Sequence, residues 1–210
     1  MVLSGITQKV FMSRVTGGHS PVILIPGTND KPKNLLPLQH ACEEEGFVVK
    51  QWAYTNDLSV PLPELVAQFV FWVASLQYDH VHLVGMSMGG LIAAAYIQLY
   101  RKASTVRSYV NIAGPLNGTA VAYLSGAPGA RDMRPNSPFI REMQRTQDQL
   151  RGVPCTTIRT PMDLMIIPST SSCLPHAVDN CSVLNLGHGW LLSDPRVHQI
   201  ALNSIRASEG

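Results

Sequence analysis

The stretch Val81-His82-Leu83-Val84-Gly85-Met86-Ser87-Met88-Gly89-Gly90-Leu91 constrains the fold more than any other part of the chain. Val81 to Val84 reads as a short buried strand. Met88 to Tyr100, rich in Ala and Leu, reads as a helix. Between them lies a turn with Gly85 and Gly89 two positions either side of Ser87. Tiny residues at those positions allow strand and helix to pass very close, and they leave the serine on a strained backbone. A bare Gly-x-Ser-x-Gly occurs often by chance and can be a Gly-rich turn with a capping serine. A strand before it and a helix after it make it far less ambiguous.

The rest of the chain alternates in the same way. Pro21–Pro26 contains the apolar run Val-Ile-Leu-Ile, a buried strand, followed by a Gly-rich turn and a helix over Leu35–Glu45 that Gly46 stops. Phe47–Trp52 reads as a strand, Pro61–Leu76 as a helix with prolines near its start, and Val106–Ile112 as a strand. From Gly114 to Gly152 Pro, Gly and Ser are frequent and the pattern loosens, with one helix over Phe139–Leu150. Cys155–Thr160 returns to strand character and Val183–Leu186 reads as the last strand. Pro195–Ser204 closes the chain as a helix, with Asp194 as its N-cap. Strand–helix alternation of this kind predicts an α/β fold with a mostly parallel sheet covered on both faces.

At 210 residues the chain has room for one sizeable core, so residues 1–210 are expected to form a single domain. Residues 114–152 would then be a small lid or cleft rim within it, with minimal or no cap. A formal charge of +2 gives no reason to expect a nucleic-acid partner, and no Lys/Arg cluster goes beyond short pairs such as Arg101-Lys102. The longest apolar candidate, Leu65–Leu76, is interrupted by Gln68 and reads as a helix on a core rather than a membrane span. Met1–Val15 is broken by Ser4, Gly5 and Gln8 and does not read as a signal peptide. The chain is thus cytoplasmic as written, or a mature form whose targeting segment is absent. Four cysteines are too few for a disulfide scaffold and are not spaced for zinc. Cys42 and Cys155 read as small buried hydrophobes. Cys173 and Cys181 flank a polar loop and could bridge, which would argue for an oxidising compartment.

The strand–turn–helix around Ser87 is a nucleophile elbow, and here a resemblance enters. Val81 to Leu91 resembles the elbow of α/β-hydrolase lipases and esterases. Ile25-Pro26-Gly27-Thr28 resembles their oxyanion-hole loop. Asn111 to Thr119 resembles a lipase stretch ending in Pro-x-x-Gly-Thr, and Arg134 to Phe139 a segment before a lipase lid helix. Gly187-His188-Gly189 resembles the catalytic-histidine loop. The resemblance spans roughly Pro21 to Ala201. It implies an α/β-hydrolase fold and a serine hydrolase.

A serine hydroxyl is a poor nucleophile until a base takes its proton. In this fold the acid and then the histidine follow the serine along the chain. Of His176, His188 and His198, His188 follows the last expected strand and is flanked by glycines that leave its loop free to reach the elbow. His198 falls in the closing helix and His176 in a loop. Asp163, just past Thr156–Thr160, stands where the resembling lipases carry their acid, which fixes the imidazole tautomer. Asp179 is its main rival; Asp132 and Asp148 read as solvated. The oxyanion hole needs N–H donors. One is expected from Met88, the residue after the serine, and one from Thr28. Pro-Gly-Thr resembles the loop of fungal lipase B-type enzymes, which implies that the Thr28 hydroxyl can donate as well. Alternatively, Thr28 merely caps the turn with Asn29 and Asp30.

Met86, Leu116, Met165, Ile166, Trp190 and Leu191 lie near these positions and are candidate substrate contacts, although Met and Leu beside an elbow are more often core. An apolar cleft suits an acyl chain. The expected activity is hydrolysis of carboxylic esters through Ser87, Asp163 and His188, on a small-molecule or lipid ester. The alternatives are an amidase, thioesterase or acyltransferase using the same triad, or a non-catalytic binding protein of the same fold. The chemistry asks for no cofactor, and no metal site is found by spacing.

Overall fold

The computed structural model describes residues 19–100 and 102–209. The Met1–Val15 segment and Arg101 lie outside them. Among the described residues six strands form one sheet: β1 (Val22–Ile25), β2 (Val49–Gln51), β3 (Val81–Met86), β4 (Val106–Ile112), β5 (Cys155–Arg159) and β6 (Asp179–Ser182). Their order is β2-β1-β3-β4-β5-β6, and every neighbouring pair is parallel. The helices are α1 (Leu36–Glu44), α2 (Leu62–Ser75), α3 (Met88–Leu99), α4 (Pro128–Asp132), α5 (Pro138–Arg145) and α6 (Pro195–Ala207).

A strand that is apolar at every position must be covered on both sides. All four residues of β1 are fully buried. Their alternation splits them, with Ile23 and Ile25 entering one core and Val22 and Leu24 the other. The first core is closed by the apolar faces of α2, α3 and α5. The second is closed by α1, through Leu38 and Cys42, and by α6, through Val197, Ala201, Leu202 and Ile205. Chain order along the sheet reverses between β1 and β3. In open parallel sheets a crevice forms at that point, outside the carboxyl ends of the strands.

The last strand is not where its apolar residues are. The sequence places it at Val183–Leu186, whereas β6 covers Asp179–Ser182 and pairs with β5 from Thr156/Asp179 to Arg159/Ser182. β6 is the edge of the sheet, and polar, exposed residues suit an edge. Val183 is buried, but Leu184 and Leu186 project into solvent. The helix expected over Phe139–Leu150 breaks after Arg145 and continues as a 3-10 turn over Gln147–Gly152. The Thr146 hydroxyl donates back to Glu142 O at 2.8 Å, a bond that competes with the helical ladder. α6 starts as its sequence signals: the Asp194 carboxylate accepts the Arg196 N–H at 3.0 Å, with Pro195 in the first turn.

All four cysteines are free. Cys42 and Cys155 are buried in the two cores, and burial pushes each thiol up to about 12. Cys173 and Cys181 are not bridged; Cys181 instead donates to Asp179 Oδ2 at 3.1 Å. Among the described residues no helix is long and apolar enough to cross a membrane.

Candidate active site

Ser87 joins β3 to α3 with φ 54° and ψ −124°, a conformation that side-chain-bearing residues rarely adopt. The surroundings impose it. A Cβ on Gly85 would lie 2.5 Å from Gly89 O and Gly90 N, and a Cβ on Gly89 would lie 2.5 Å from Pro26 O. The elbow is therefore seated directly on the end of β1. The Ser87 N–H donates to Ile112 O of β4 at 2.8 Å, which anchors the serine from the other side.

Asp163 follows β5 and His188 precedes a 3-10 turn over Gly189–Ser193. The His188 Nδ1–H donates to Asp163 Oδ2 at 2.8 Å. The other carboxylate oxygen accepts two backbone N–H groups, from Met165 at 2.8 Å and Ile166 at 2.9 Å. The Asp163 side chain is 1% exposed and that of His188 14%, so the pair is shielded while the ring still reaches the surface. The rival acids are engaged elsewhere. Asp179 lies exposed on β6, Asp148 pairs with Arg151 at 2.7 Å, and Asp132 accepts the Leu62 N–H at 2.8 Å. Burial raises the Asp132 carboxyl above its ordinary range. The rival histidines are elsewhere too: His176 lies 3.6 Å from Asp148, and His198 Nε2 bonds Leu192 O at 2.7 Å.

The turn after β1 passes over the elbow, since a Cβ on Gly27 would lie 2.8 Å from Ser87 Cβ. Thr28 does not cap this turn. That role falls to Asp30, whose Oδ2 accepts the Gly27 N–H at 2.9 Å. The Thr28 hydroxyl rests on Met88 Sδ at 3.7 Å. Met88 is the first residue of α3, where backbone N–H groups have no partner within the helix and the dipole is positive.

A cavity of about 260 Å³ lies at this junction, and Ser87, His188, Thr28 and Asp30 all line it. Of the candidate substrate contacts, Met86, Met165 and Ile166 line it as well. Leu116, Leu191 and Trp190 do not. Leu116 and Leu191 are buried in the two cores, where packing of apolar side chains holds them. Trp190 is 63% exposed and borders a separate depression with Asn185 and Pro195. The rest of the wall comes from Val121, Ala122, Leu124, Ala130 and Met133, within the stretch read as a lid or cleft rim, and from Leu58; sequence reasoning singled out none of these residues. The apolar run Ala120–Leu124 within an otherwise polar region was its one signal. Thr119 fastens this wall to the loop that carries Asp163: its hydroxyl donates to Met165 O at 2.8 Å and accepts the Ile167 N–H at 3.0 Å. Among the described residues no group of His, Cys, Asp and Glu side chains could hold a metal ion.

The model of the alpha/beta hydrolase fold family matches residues 13–148, well over half of the chain. The chain belongs to the α/β-hydrolase fold family. In this α/β-hydrolase the matched stretch includes Thr28, Ser87 and Met88 and ends before Asp163 and His188. Solved structures of the same fold include the mature lipase BlEst2 of Bacillus licheniformis, at TM-score 0.71 and 11% identity, covering 90% of this chain and 92% of that one. A monoacylglycerol lipase of Paleococcus ferrophilus superposes at TM-score 0.67 and 13% identity, covering 91% and 97%. Carboxylesterase CesB of Bacillus subtilis does so at 0.63 and 16%, covering 90% and 84%. No curated protein matches the sequence.

Proposed function

We propose that this α/β-hydrolase cleaves carboxylic esters, with Ser87 as nucleophile, His188 as base and Asp163 as the acid behind it. The observation that carries the reading is the Asp163–His188 pair on the rim of an apolar cavity that also holds the strained Ser87. That the neighbours named above are lipases and a carboxylesterase points the same way.

The Ser87 oxygen attacks the ester carbonyl while His188 Nε2 takes its proton. The carbonyl oxygen becomes an oxyanion and accepts N–H bonds from Met88 and Thr28. As the intermediate collapses, the imidazolium returns the proton to the departing alcohol. Water then attacks the acyl-enzyme with His188 again as base, releasing the acid and restoring Ser87. Asp163 keeps the proton on Nδ1 and stabilises the imidazolium. The acyl chain lies along Val121, Ala122, Met133 and Met165, so residues 114–152 serve as a rim of the cleft within a single domain.

The test is hydrolysis of p-nitrophenyl esters from acetate to palmitate by the wild type and by Ser87→Ala. Turnover that Ser87→Ala abolishes with its fold intact supports the reading. No turnover on any ester by the wild type sinks it and transfers attention to amides, thioesters or binding without catalysis.

A further inference from the structure

We infer that Asn56 is a positioning residue for the oxyanion side of this site, a reading that rests on the ester-hydrolase proposal above. Asn56 lies in the connection between β2 and α2 and belongs to no motif. It nevertheless grips the Pro26–Asp30 turn at three points. Its side-chain Nδ2 donates to Gly27 O at 2.8 Å and to Asp30 O at 2.9 Å. Its backbone O accepts the Asn29 N–H at 2.9 Å. A carboxamide nitrogen carries two hydrogens. Both are used here, on carbonyls either side of Thr28. Tyr54 adds a fourth hold, donating its hydroxyl to Pro26 O at 2.7 Å while its ring stacks on Trp52 at 4.1 Å.

Every residue of the turn except Thr28 thus has a backbone polar group tied down. The Pro26 and Gly27 carbonyls, the Gly27 and Asn29 N–H groups and the Asp30 carbonyl all have partners. The Thr28 N–H has none among the described residues, and Thr28 lines the cavity beside Ser87. A donor is useful to a developing oxyanion only if it is already in place when the charge forms. This turn has no sheet ladder to hold it. It contains a glycine and an asparagine at φ 56°, and what holds it, besides the Asp30 carboxylate on the Gly27 N–H, is Asn56 and Tyr54. Asn56 does not line the cavity, so its effect on chemistry passes through Thr28.

Three variants separate positioning from mere stability. Asn56→Ala removes the grip. Asn56→Asp keeps the shape but turns a carboxylate oxygen towards two carbonyls. Tyr54→Phe removes one bond and keeps the stacking. For each, kcat and KM on p-nitrophenyl butyrate, the rate of Ser87 labelling by a p-nitrophenyl alkylphosphonate, the thermal midpoint, and amide exchange at Gly27–Asp30 are measured. For Asn56→Ala and Asn56→Asp, kcat and labelling fall together by about 10- to 100-fold. KM stays within about twofold, and the Asn29 amide exchanges faster. Tyr54→Phe moves in the same direction by less, and carries the test alone if neither Asn56 variant folds. Folded variants with wild-type kcat and labelling well below their thermal midpoints overturn the inference, as does a change confined to KM. A wild type that neither turns over esters nor labels overturns the ester-hydrolase reading and takes this one with it. Wild-type turnover with unaffected variants removes Asn56 alone.

Discussion

Asp163 and His188 share a 2.8 Å hydrogen bond whose acceptor is fixed from behind, because the second oxygen of the same carboxylate holds the Met165 and Ile166 N–H groups. The carboxylate cannot rotate without giving up two backbone bonds, so it presents one fixed oxygen to Nδ1. Asp163→Asn keeps an acceptor for those bonds but offers the imidazole an amide. We expect kcat on a p-nitrophenyl ester to fall by about 10⁴-fold with little change in thermal midpoint. A loss below about tenfold would mean that another group does this work.

The Thr28 hydroxyl now rests on the Met88 sulfur, a weak acceptor that it can leave easily. Thr28→Val keeps the backbone N–H and the volume of the side chain. If the hydroxyl turns to the oxyanion, kcat falls by about 10²-fold with KM little altered. An unchanged kcat assigns the stabilisation to backbone N–H groups alone.

Ala122 lines the cavity and is almost fully buried, so a larger side chain there intrudes on the cavity. Ala122→Phe puts a ring where a methyl group stands, at an overpacking cost to stability of about 1–3 kcal/mol, and takes up space that a long acyl chain would need. The expected outcome is a loss of kcat/KM on long acyl chains of about tenfold or more, with acetate hydrolysis retained. An unaltered chain-length profile would place the acyl group elsewhere.

At the opposite end of the sheet, Glu209 clasps the buried His82. Its Oε1 lies 2.6 Å from Nε2, while Nδ1 bonds Ser108 Oγ at 2.8 Å. Burial works against the Glu209 carboxylate, but hydrogen bonds from His82, His19 and the Ser20 N–H outweigh it and hold the group at about 2. Burial lowers the His82 imidazole below its ordinary value. The signs follow. Between the ordinary histidine value and the lowered one, the unfolded chain binds a proton that the folded chain does not, so stability drops as pH falls below about 6.5. The Glu209 contribution is complete above the ordinary carboxylate range and disappears as pH falls through about 2. Glu209→Gln should lower the thermal midpoint at neutral pH by roughly 3–10 °C, the equivalent of about 1.5–3 kcal/mol. Melting curves should show this gap narrowing between about pH 4.5 and pH 2. A gap independent of pH would mean that the carboxylate charge is not what stabilises the clasp.

The strands and helices that face a core were legible because burial leaves a pattern. Val22–Ile25 is apolar throughout, Val106–Ile112 is buried at every position but Arg107, and both are strands as expected. The edge strand Asp179–Ser182 was not legible, because one side of an edge faces water and its polar residues resemble a loop. The apolar residues after it, Leu184 and Leu186, have the composition of a strand but face solvent beyond its end.

The elbow at Ser87 was legible in sequence, through Gly85 and Gly89 between a strand and a helix, and so were Asp163 and His188 as candidates; that Asp163 rather than Asp179, and His188 rather than His176 or His198, lie together was decided by the fold. Which groups surround them was decided only by tertiary structure. Asn56 belongs to no motif, and the Pro-x-x-Gly-Thr stretch that ends at Thr119 does not tell what its hydroxyl holds. Both side chains matter because folding brings Asn56 against Gly27 and Asp30, and Thr119 against Met165 and Ile167. Backbone carbonyls and N–H groups are the same at every position along a chain. A side chain that recognises them therefore leaves no trace in sequence, and its function exists only once the fold has set two distant segments within a hydrogen bond of each other.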